Sequence, residues 1–220
     1  RMTKRMGYWL DLDHPYVTMT NDYIEGLWWV FSRIAKNGYL YKDFKVLPWC
    51  PRCGTPLSSH ELAQGYKTVK DESVYVKFAV AKPAAGSPTA VRSSAFGEDA
   101  YFLVWTTTPW TLPGNVALAV NPKARYVIIE KSGEFLIMAK DRLSVIEGEY
   151  TIKKEETGDK LVGLVYEPLY KSPSLKVQIS SYKVVKGDFV TTDDGTGIVH
   201  IAPAFGADDQ KVGKESGLPT

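Results

Sequence analysis

The sequence predicts an α+β fold rich in β-strand, with a connecting segment over residues 1–72 and an antiparallel β-barrel-like domain over residues 73–220. Apolar residues follow a helical period near the N-terminus and change to a period of two from Ser73 onward. Turn-forming residues then separate a series of short β-like runs. Many short strands with few, peripheral helices are typical of a closed or nearly closed antiparallel barrel.

The composition is that of an ordinary globular protein. Its 220 residues are 44% hydrophobic, and 27 Lys and Arg against 25 Asp and Glu give a net charge of +2. The apolar content argues against a disordered chain, and the charge is too small for nucleic-acid binding by bulk field alone. No apolar run approaches the roughly 18 residues that span a bilayer, and the N-terminus lacks a signal peptide. We therefore predict a cytosolic monomer without membrane contact, and we expect it to be a fragment of a longer chain.

The clearest helix is predicted over residues 22–36, where apolar side chains recur at steps of three and four. Asp22 followed by Glu25 resembles an N-terminal capping box. Asn37 and Gly38 predict a left-handed stop after the last turn. This helix belongs to the N-terminal segment, which we expect to include a partial zinc knuckle as well.

Short strands are predicted throughout the rest of the chain. They cover residues 74–80, 101–106, 116–120, 126–130, 134–139, 150–154, 161–166, 182–185 and 197–201. Residues 81–99 are rich in Ala, Pro, Ser and Gly, so we predict an exposed loop there. A last helix is predicted from Asp208 or Asp209 toward Glu215.

The cysteines of the sequence form one closely spaced pair, Cys50 and Cys53, on a predicted tight turn. Two thiolates at this spacing suit one half of a tetrahedral zinc site, with His60 as a candidate third ligand. An inert reduced pair and a redox motif are the alternatives. A redox motif needs a helix start beside the pair, and the Pro56 that follows so closely argues against one.

The segment 105–115 concentrates hydroxyl groups on a stiff turn. Its hydroxyl side chains are Thr106, Thr107, Thr108 and Thr111. Pro109 and Pro113 fix the backbone, and hydroxyls held rigidly can position a water molecule or an ester carbonyl. The simpler interpretation is a strand end followed by a turn, although Trp105 and Trp110 are unusual neighbours for an ordinary exposed turn.

The segment 193–209 brings a histidine and two carboxylates together in sequence. A flexible turn leads into a short apolar strand with His200, and a Pro- and Gly-containing loop then delivers Asp208 and Asp209. Helix capping is the simpler role for the aspartates, and a structural role is as compatible with His200 as a functional one. For His14 and His60 a structural role is the favoured interpretation, because no other candidate residues surround them in the sequence. No strained nucleophile turn is present, so we rank direct attack by water above a threonine, histidine and aspartate triad.

These stretches, 50–60, 105–115 and 195–209, together resemble the editing insertion of isoleucyl-tRNA synthetases, which are class I enzymes. The likeness also runs through Gly7-Tyr8-Trp9-Leu10-Asp11, the helix at Asp22 and Ser58-Ser59-His60-Glu61, so it covers most of the chain outside residues 81–99. Valyl and leucyl relatives resemble Thr-Thr-Arg-Pro at the threonine site, whereas Thr108 precedes Pro109 here. This difference favours the isoleucyl family.

The resemblance implies hydrolysis of valine that has been wrongly esterified to isoleucine tRNA, by attack of water on the ester at the 3′-terminal adenosine. By that likeness the residues that hold the water and the ester are Thr106, Thr107 and Thr108. Asp209 would bind the α-ammonium group of the substrate, because a partly buried cation needs a partner charge. The tRNA ester and the valyl adenylate, Val-AMP, remain alternative editing substrates.

The same likeness assigns the remaining substrate contacts. His200 would occupy the space of an isoleucine side chain and exclude the cognate product by size, while Trp110 and Asn115 would shape the adenosine end. Such a second selection step is needed because one methylene in an apolar pocket supplies only about 1–3 kcal/mol of discrimination between two substrates. Isoleucyl-tRNA synthetases are the standard example of this limit. Gly114 stands where we expect alanine or serine, and Ile201 where threonine is frequent.

Other functions of the whole enzyme would need more chain than this. The ATP-binding signatures His-x-Gly-His and Lys-Met-Ser-Lys-Ser are missing from the 220 residues. The resemblance therefore implies that ATP and Mg²⁺ serve only the full-length ligase, and that a second cysteine pair downstream completes the zinc site. A non-catalytic RNA-binding zinc module and a free-standing deacylase are the competing interpretations.

Overall fold

The computed structural model describes residues 2–81, 99–170 and 182–220. The predicted loop at 81–99 lies almost wholly outside these residues. The chain divides into two compact units, Arg1–Phe44 and Lys45–Thr220, whereas the sequence predicts a boundary at 72/73. Within the second unit, the Val46 N–H donates to the Gln210 side-chain oxygen at 3.4 Å, which ties residues that precede the predicted boundary to the last helix.

The first unit contains helices α1 (Met2–Arg5) and α2 (Asn21–Lys36). The prediction of a helix here is confirmed, but the predicted capping box is wrong. Thr20 is the N-cap, and its hydroxyl donates to the Val17 carbonyl instead of capping the helix. The predicted stop is confirmed: Gly38 has φ +75°, its N–H donates to Ala35, and the next N–H reaches back to Ile34.

The second unit holds the sheets. Its strands are β1 (Trp49–Cys50), β2 (Thr55–Pro56), β3 (Val74–Ala79), β4 (Ala100–Thr106), β5 (Ala117–Val120), β6 (Arg125–Lys131), β7 (Glu134–Ala139), β8 (Thr151–Thr157), β9 (Lys183–Lys186) and β10 (Ile198–Ile201). Its α-helices are α3 (Ser59–Ala63), α4 (Gly158–Leu161) and α5 (Ala207–Ser216), and 3₁₀ helices cover Pro109–Gly114 and Lys140–Val145. In the described residues, no helix combines the length and apolar character needed to cross a membrane.

The main strands form two mixed sheets, so the predicted closed antiparallel barrel is wrong for the described strands. One sheet has the order β3-β4-β7-β6-β8 and the other β10-β5-β9, while β1 and β2 form a separate hairpin. Strand β4 runs parallel to β7, and β5 runs parallel to β9. Alternating apolar residues predict a strand but not its partner, and parallel neighbours need crossover connections that the local pattern does not reveal.

One predicted strand is replaced by other structure. Residues 161–166 were expected to form a strand, yet Leu161 ends helix α4 and only Val165 and Tyr166 make isolated bridges. A continuous strand does not form because neighbouring residues pair with different segments: Val165 bridges Lys183, and Tyr166 bridges Val80. This stretch thereby links an edge of one sheet to an edge of the other.

A single hydrophobic cluster contains residues from both sheets. On β4 it takes the alternate positions Ala100, Phe102 and Val104, and on β10 it takes Ile198. Leu103 on the opposite face of β4 packs in a separate cluster, and Ile201 on the opposite face of β10 packs with Val212 of α5. The alternation therefore places Thr106 and His200 on the faces that line the shared core.

The turn before β10 requires glycine at position 197. Gly197 has φ +71°, and a Cβ built there would lie 2.4 Å from the Ala139 Cβ. Its carbonyl also accepts a 2.7 Å hydrogen bond from the Tyr126 hydroxyl. The close approach of β7 to this turn sets where β10 begins.

Gly197→Ala should therefore destabilise the chain more than Gly133→Ala. Gly133 also has positive φ, +84°, but a Cβ there would contact nothing within 4 Å. We expect the free energy of unfolding to fall by about 1 kcal/mol for Gly133→Ala, and by roughly 3 kcal/mol for Gly197→Ala, where overpacking adds to backbone strain. Urea denaturation followed by circular dichroism measures the free energy of unfolding of both variants. Equal losses would show that the Ala139 side chain moves aside without a loss of stability.

Candidate functional site

The candidate site lies where the shared core meets the first 3₁₀ helix. Thr106 is the last residue of β4 and continues its inner face, and it is only 6% exposed. Thr108 follows as the N-cap of the 3₁₀ helix, and Thr111 lies within that helix and is buried. Pro109 at the first helical position explains the tight turn, since its missing N–H costs nothing there.

The threonines form a connected set of hydroxyl groups. The Thr108 N–H donates to Thr106 Oγ1 at 3.1 Å, and the two hydroxyl oxygens lie 3.3 Å apart. The Thr111 hydroxyl donates to the Thr108 carbonyl at 2.8 Å and lies 3.4 Å from Thr108 Oγ1. These contacts join Thr106, Thr108 and Thr111, while the rigidity of the hydroxyls stays a prediction.

Strand β10 brings His200 to the same place. Its Nε2 atom lies 3.1 Å from Thr111 Oγ1, although the two residues are far apart in sequence. His200 is 6% exposed, and Nδ1 is buried without a hydrogen-bond partner among the described residues. Burial lowers the pKa of the imidazole from its ordinary 6.5, so the ring is neutral at neutral pH.

The remaining predicted residues of this segment have different surroundings. Thr107 is half-buried, while Trp110 is 69% exposed on the 3₁₀ helix and is therefore accessible to a stacking partner. Asn115 is buried: its Nδ2 donates to the Ala117 carbonyl at 2.8 Å, and its Oδ1 accepts the Tyr166 hydroxyl at 2.6 Å. The side chain of Asn115 is thus occupied by contacts that hold the end of the 3₁₀ helix against β5.

Asp209 lies in the first turn of α5, as predicted, although the helix begins at Ala207. Its Oδ2 accepts the Ala202 N–H at 3.0 Å. Burial raises the pKa of this carboxyl above its ordinary 3.8, the Ala202 N–H opposes that rise, and the neighbouring Asp208 adds to it. The carboxylate is therefore held in place without a described cationic partner that would offset the cost of its burial.

One backbone hydrogen bond and one close approach of side chains to Gly114 bring the threonine segment and the aspartate loop together. The Val116 N–H donates to the Ile201 carbonyl at 2.9 Å. A Cβ built on Gly114 would lie 2.7 Å from the Phe205 ring and 3.7 Å from the Ala202 Cβ. Glycine at this position, where alanine or serine was expected, leaves room for the Phe205 ring beside the 3₁₀ helix. Thr111, His200 and Asp209 consequently belong to adjacent segments of one region.

The structure adds one residue that the sequence did not single out. Arg142, in the second 3₁₀ helix, donates from Nε to the Gly195 carbonyl at 2.9 Å and from Nη1 to the Asp193 carbonyl at 2.7 Å. These bonds hold the turn that leads into β10. Nothing in the local sequence marks this arginine, because its partners are backbone carbonyls about 50 positions away.

Cys50 and Cys53 lie on the β1–β2 hairpin as free thiols. The Cys53 N–H donates to Cys50 Sγ at 3.3 Å, which lowers the pKa of the Cys50 thiol, while the side-chain contact with Cys50 raises that of Cys53. An N–H directed at sulfur is compatible with thiolate ligands, so the pair fits one half of a zinc site. Among the described residues no three potential ligands come together, and His60 instead contacts Gln64.

The sequence matches the family "tRNA synthetases class I (I, L, M and V)" over residues 1–201. The chain is 50% identical over 220 residues to an isoleucine–tRNA ligase of Clostridium acetobutylicum, and 47% identical over 217 residues to one of Bacillus thuringiensis. These alignments cover 99% and 98% of this chain but 20% and 19% of the relatives. The chain therefore spans about a fifth of the length of these relatives.

A solved structure shares the arrangement of the sheets. The chain is similar to the crystal structure of GlLeuRS-CP1, with a TM-score of 0.54 and 20% identity over 66% of this chain and 60% of that chain. The family match covers most of the chain, and this chain therefore belongs to the class I tRNA synthetases. The resemblance to isoleucyl-tRNA synthetases in particular is confirmed by relatives that are isoleucine–tRNA ligases.

Burial of His200 predicts a pH-dependent stability. Because its pKa is lowered in the folded chain, the unfolded chain binds the proton first, and stability is lost as the pH falls from 6.5 through the lowered pKa. The raised pKa of Asp209 acts with the opposite sign, since its contribution is lost as the pH rises through that pKa. The two effects are separable by substitution.

We expect the free energy of unfolding to fall below about pH 6.5 more steeply in the unaltered chain than in His200→Gln, by at most about 1.4 kcal/mol per pH unit. Urea titrations at a series of pH values measure the two slopes. Parallel slopes would mean that the imidazole is protonated as easily in the folded chain as in the unfolded one.

Proposed function

We propose that Lys45–Thr220 is a hydrolytic editing domain that removes valine from wrongly charged isoleucine tRNA. The single observation that supports this most strongly is the contact between the threonine hydroxyl cluster and a buried neutral histidine, two residues before the backbone N–H that anchors the Asp209 carboxylate. The relatives are isoleucine–tRNA ligases, whose amino acid differs from valine by one methylene. Neither the family nor the site alone would suggest the reaction as strongly as the two together.

Water is the nucleophile that the contacts favour. A threonine nucleophile would need a histidine base that a carboxylate orients, but Asp209 accepts from Ala202, and His200 Nδ1 has no partner among the described residues. The hydroxyls of Thr106 and Thr108, with the intervening half-buried Thr107, are instead suited to hold a water molecule near an ester carbonyl.

Asp209 is proposed to bind the α-ammonium group of the amino acid. A carboxylate whose pKa is raised by burial gains most when a cation arrives, since the new partner offsets the cost of its desolvation. The hydrogen bond from Ala202 engages Oδ2. The second oxygen is then the one assigned to the ammonium group.

His200 is proposed to exclude the larger isoleucine side chain. Its ring is buried and hydrogen-bonded to Thr111, so it presents a fixed volume beside the hydroxyl cluster. Overlap with a rigid group is costly, whereas a missing contact only forfeits a small gain. Trp110 is proposed to stack on the terminal adenosine, and Asn115 to shape that end of the pocket through the helix end that it holds.

The rest of the proposal concerns the whole enzyme. We propose that the full-length protein is an isoleucine–tRNA ligase that uses ATP, Mg²⁺, isoleucine and tRNA(Ile), with Val-AMP as an alternative editing substrate. Cys50 and Cys53 are proposed to supply two thiolates to a zinc ion whose other ligands lie outside these residues. The proposed ion would stabilise the β1–β2 turn.

Asp209→Asn should abolish most hydrolysis of the valyl ester. Losing one partner of a desolvated charge pair costs about 2–5 kcal/mol, so we expect the hydrolysis rate to fall roughly 30-fold or more. Asp208→Asn is the matched control, because Asp208 is the exposed neighbour on the same helix turn. Loss of radiolabelled valine from charged tRNA(Ile) measures both. Equal activity of the two variants would contradict the role of Asp209.

His200→Ala should relax selectivity. Removing the imidazole opens space beside the hydroxyl cluster, so we expect the variant to hydrolyse the isoleucyl ester while it still hydrolyses the valyl ester. The measurement compares release of each amino acid from charged tRNA(Ile). If the His200→Ala variant still does not hydrolyse the isoleucyl ester, His200 has no role in size selection. If the unaltered chain binds tRNA but hydrolyses neither ester, the RNA-binding alternative is favoured.

A further inference from the structure

The two ring nitrogens of His200 have opposite surroundings, and this asymmetry carries information about the bound proton. Nε2 lies 3.1 Å from Thr111 Oγ1, while Nδ1 is buried without a partner among the described residues. A neutral imidazole has one N–H donor and one acceptor nitrogen, and the neighbours decide which is which. Thr111 is the neighbour that decides here.

The hydroxyl of Thr111 has one proton to donate. At 2.8 Å the Thr108 carbonyl takes that proton, since a carbonyl can only accept. The hydrogen bond with His200 therefore requires Nε2 to carry the ring proton and Thr111 Oγ1 to accept it. The remaining contact, Thr108 Oγ1 at 3.4 Å, can add a second donor to the same oxygen but does not free the Thr111 proton for Nε2.

We propose that Thr111 is a positioning residue that holds His200 as the neutral Nε2–H tautomer in one ring orientation, and so sets the size limit of the hydrolytic site. The selectivity part rests on the proposed function, whereas the tautomer follows from the contacts alone. In the Nδ1–H tautomer the lone pair of Nε2 would face a lone pair of Thr111 Oγ1. The N–H on Nδ1 would also be buried without a hydrogen-bond partner. A protonated ring would also bury that unpaired N–H.

A fixed ring is what exclusion by size requires. A histidine that turned about its side-chain bonds would vary the free volume beside the threonines and would admit the larger substrate part of the time. The Thr111 oxygen removes this freedom through a single bond. Its own orientation is set in turn by the Thr108 carbonyl at the start of the 3₁₀ helix.

The tautomer is tested by nitrogen-15 NMR of the 220-residue chain labelled at histidine. The sequence has three histidines, so His14→Gln and His60→Gln assign the ring signals of His200 by elimination. We expect one neutral tautomer with the proton on Nε2 and slow exchange of that proton with water. A spectrum with the proton on Nδ1, or an equal mixture of the two forms, would overturn the proposal.

Thr111→Val and Thr111→Ser separate positioning from packing. Valine keeps the shape but removes the acceptor, so we expect faster exchange of the Nε2 proton and a valyl-over-isoleucyl hydrolysis ratio lowered about 3- to 10-fold, the range for losing one neutral hydrogen bond. Serine keeps the acceptor and should restore both. Thermal unfolding of each variant shows whether the fold is intact.

The outcomes distinguish the two proposals. Unchanged Nε2 exchange and unchanged selectivity in a folded Thr111→Val chain would overturn the role of Thr111. Absence of hydrolysis by the unaltered chain would contradict the proposed function, and the NMR spectrum would still decide the tautomer on its own.

Discussion

The shared apolar core between the two sheets is the constraint on which the site depends. Each sheet turns one face toward this core, and the last inward positions of β4 and β10 are polar, Thr106 and His200. Polar side chains at the edge of a core must find partners there, because water is excluded. The hydroxyls of Thr108 and Thr111 supply these partners. The packing of the two sheets therefore also brings the polar residues of the site together.

Burial then gives the site its electrostatic character. It lowers the pKa of the His200 imidazole and raises that of the Asp209 carboxyl, so each group is pushed toward its neutral form. The histidine stays neutral because protonation would bury an unpaired N–H. The charge of the aspartate is incompletely compensated among the described residues, which is the basis of its proposed role toward the α-ammonium group.

Local rules account for most of the secondary structure. The strand of alternating apolar residues after Ser73 and the glycine stop at Gly38 both appear as predicted, because each depends on neighbours within a few positions. The capping box at Asp22 fails because the chain enters helix α2 earlier, at Thr20. The strand predicted at 161–166 fails because its pairing partners, Val80 and Lys183, are remote.

By itself the sequence determined the chemistry available to this protein: clustered threonine hydroxyls, a histidine at a strand end and a carboxylate at a helix start. Family likeness assigned those residue types to editing. Only the tertiary structure decided that the sheets are mixed, that Thr111 meets His200, and that Arg142 holds the turn before β10. The physical reason is that these contacts join segments distant in sequence, and their geometry follows from how two apolar faces close on one another.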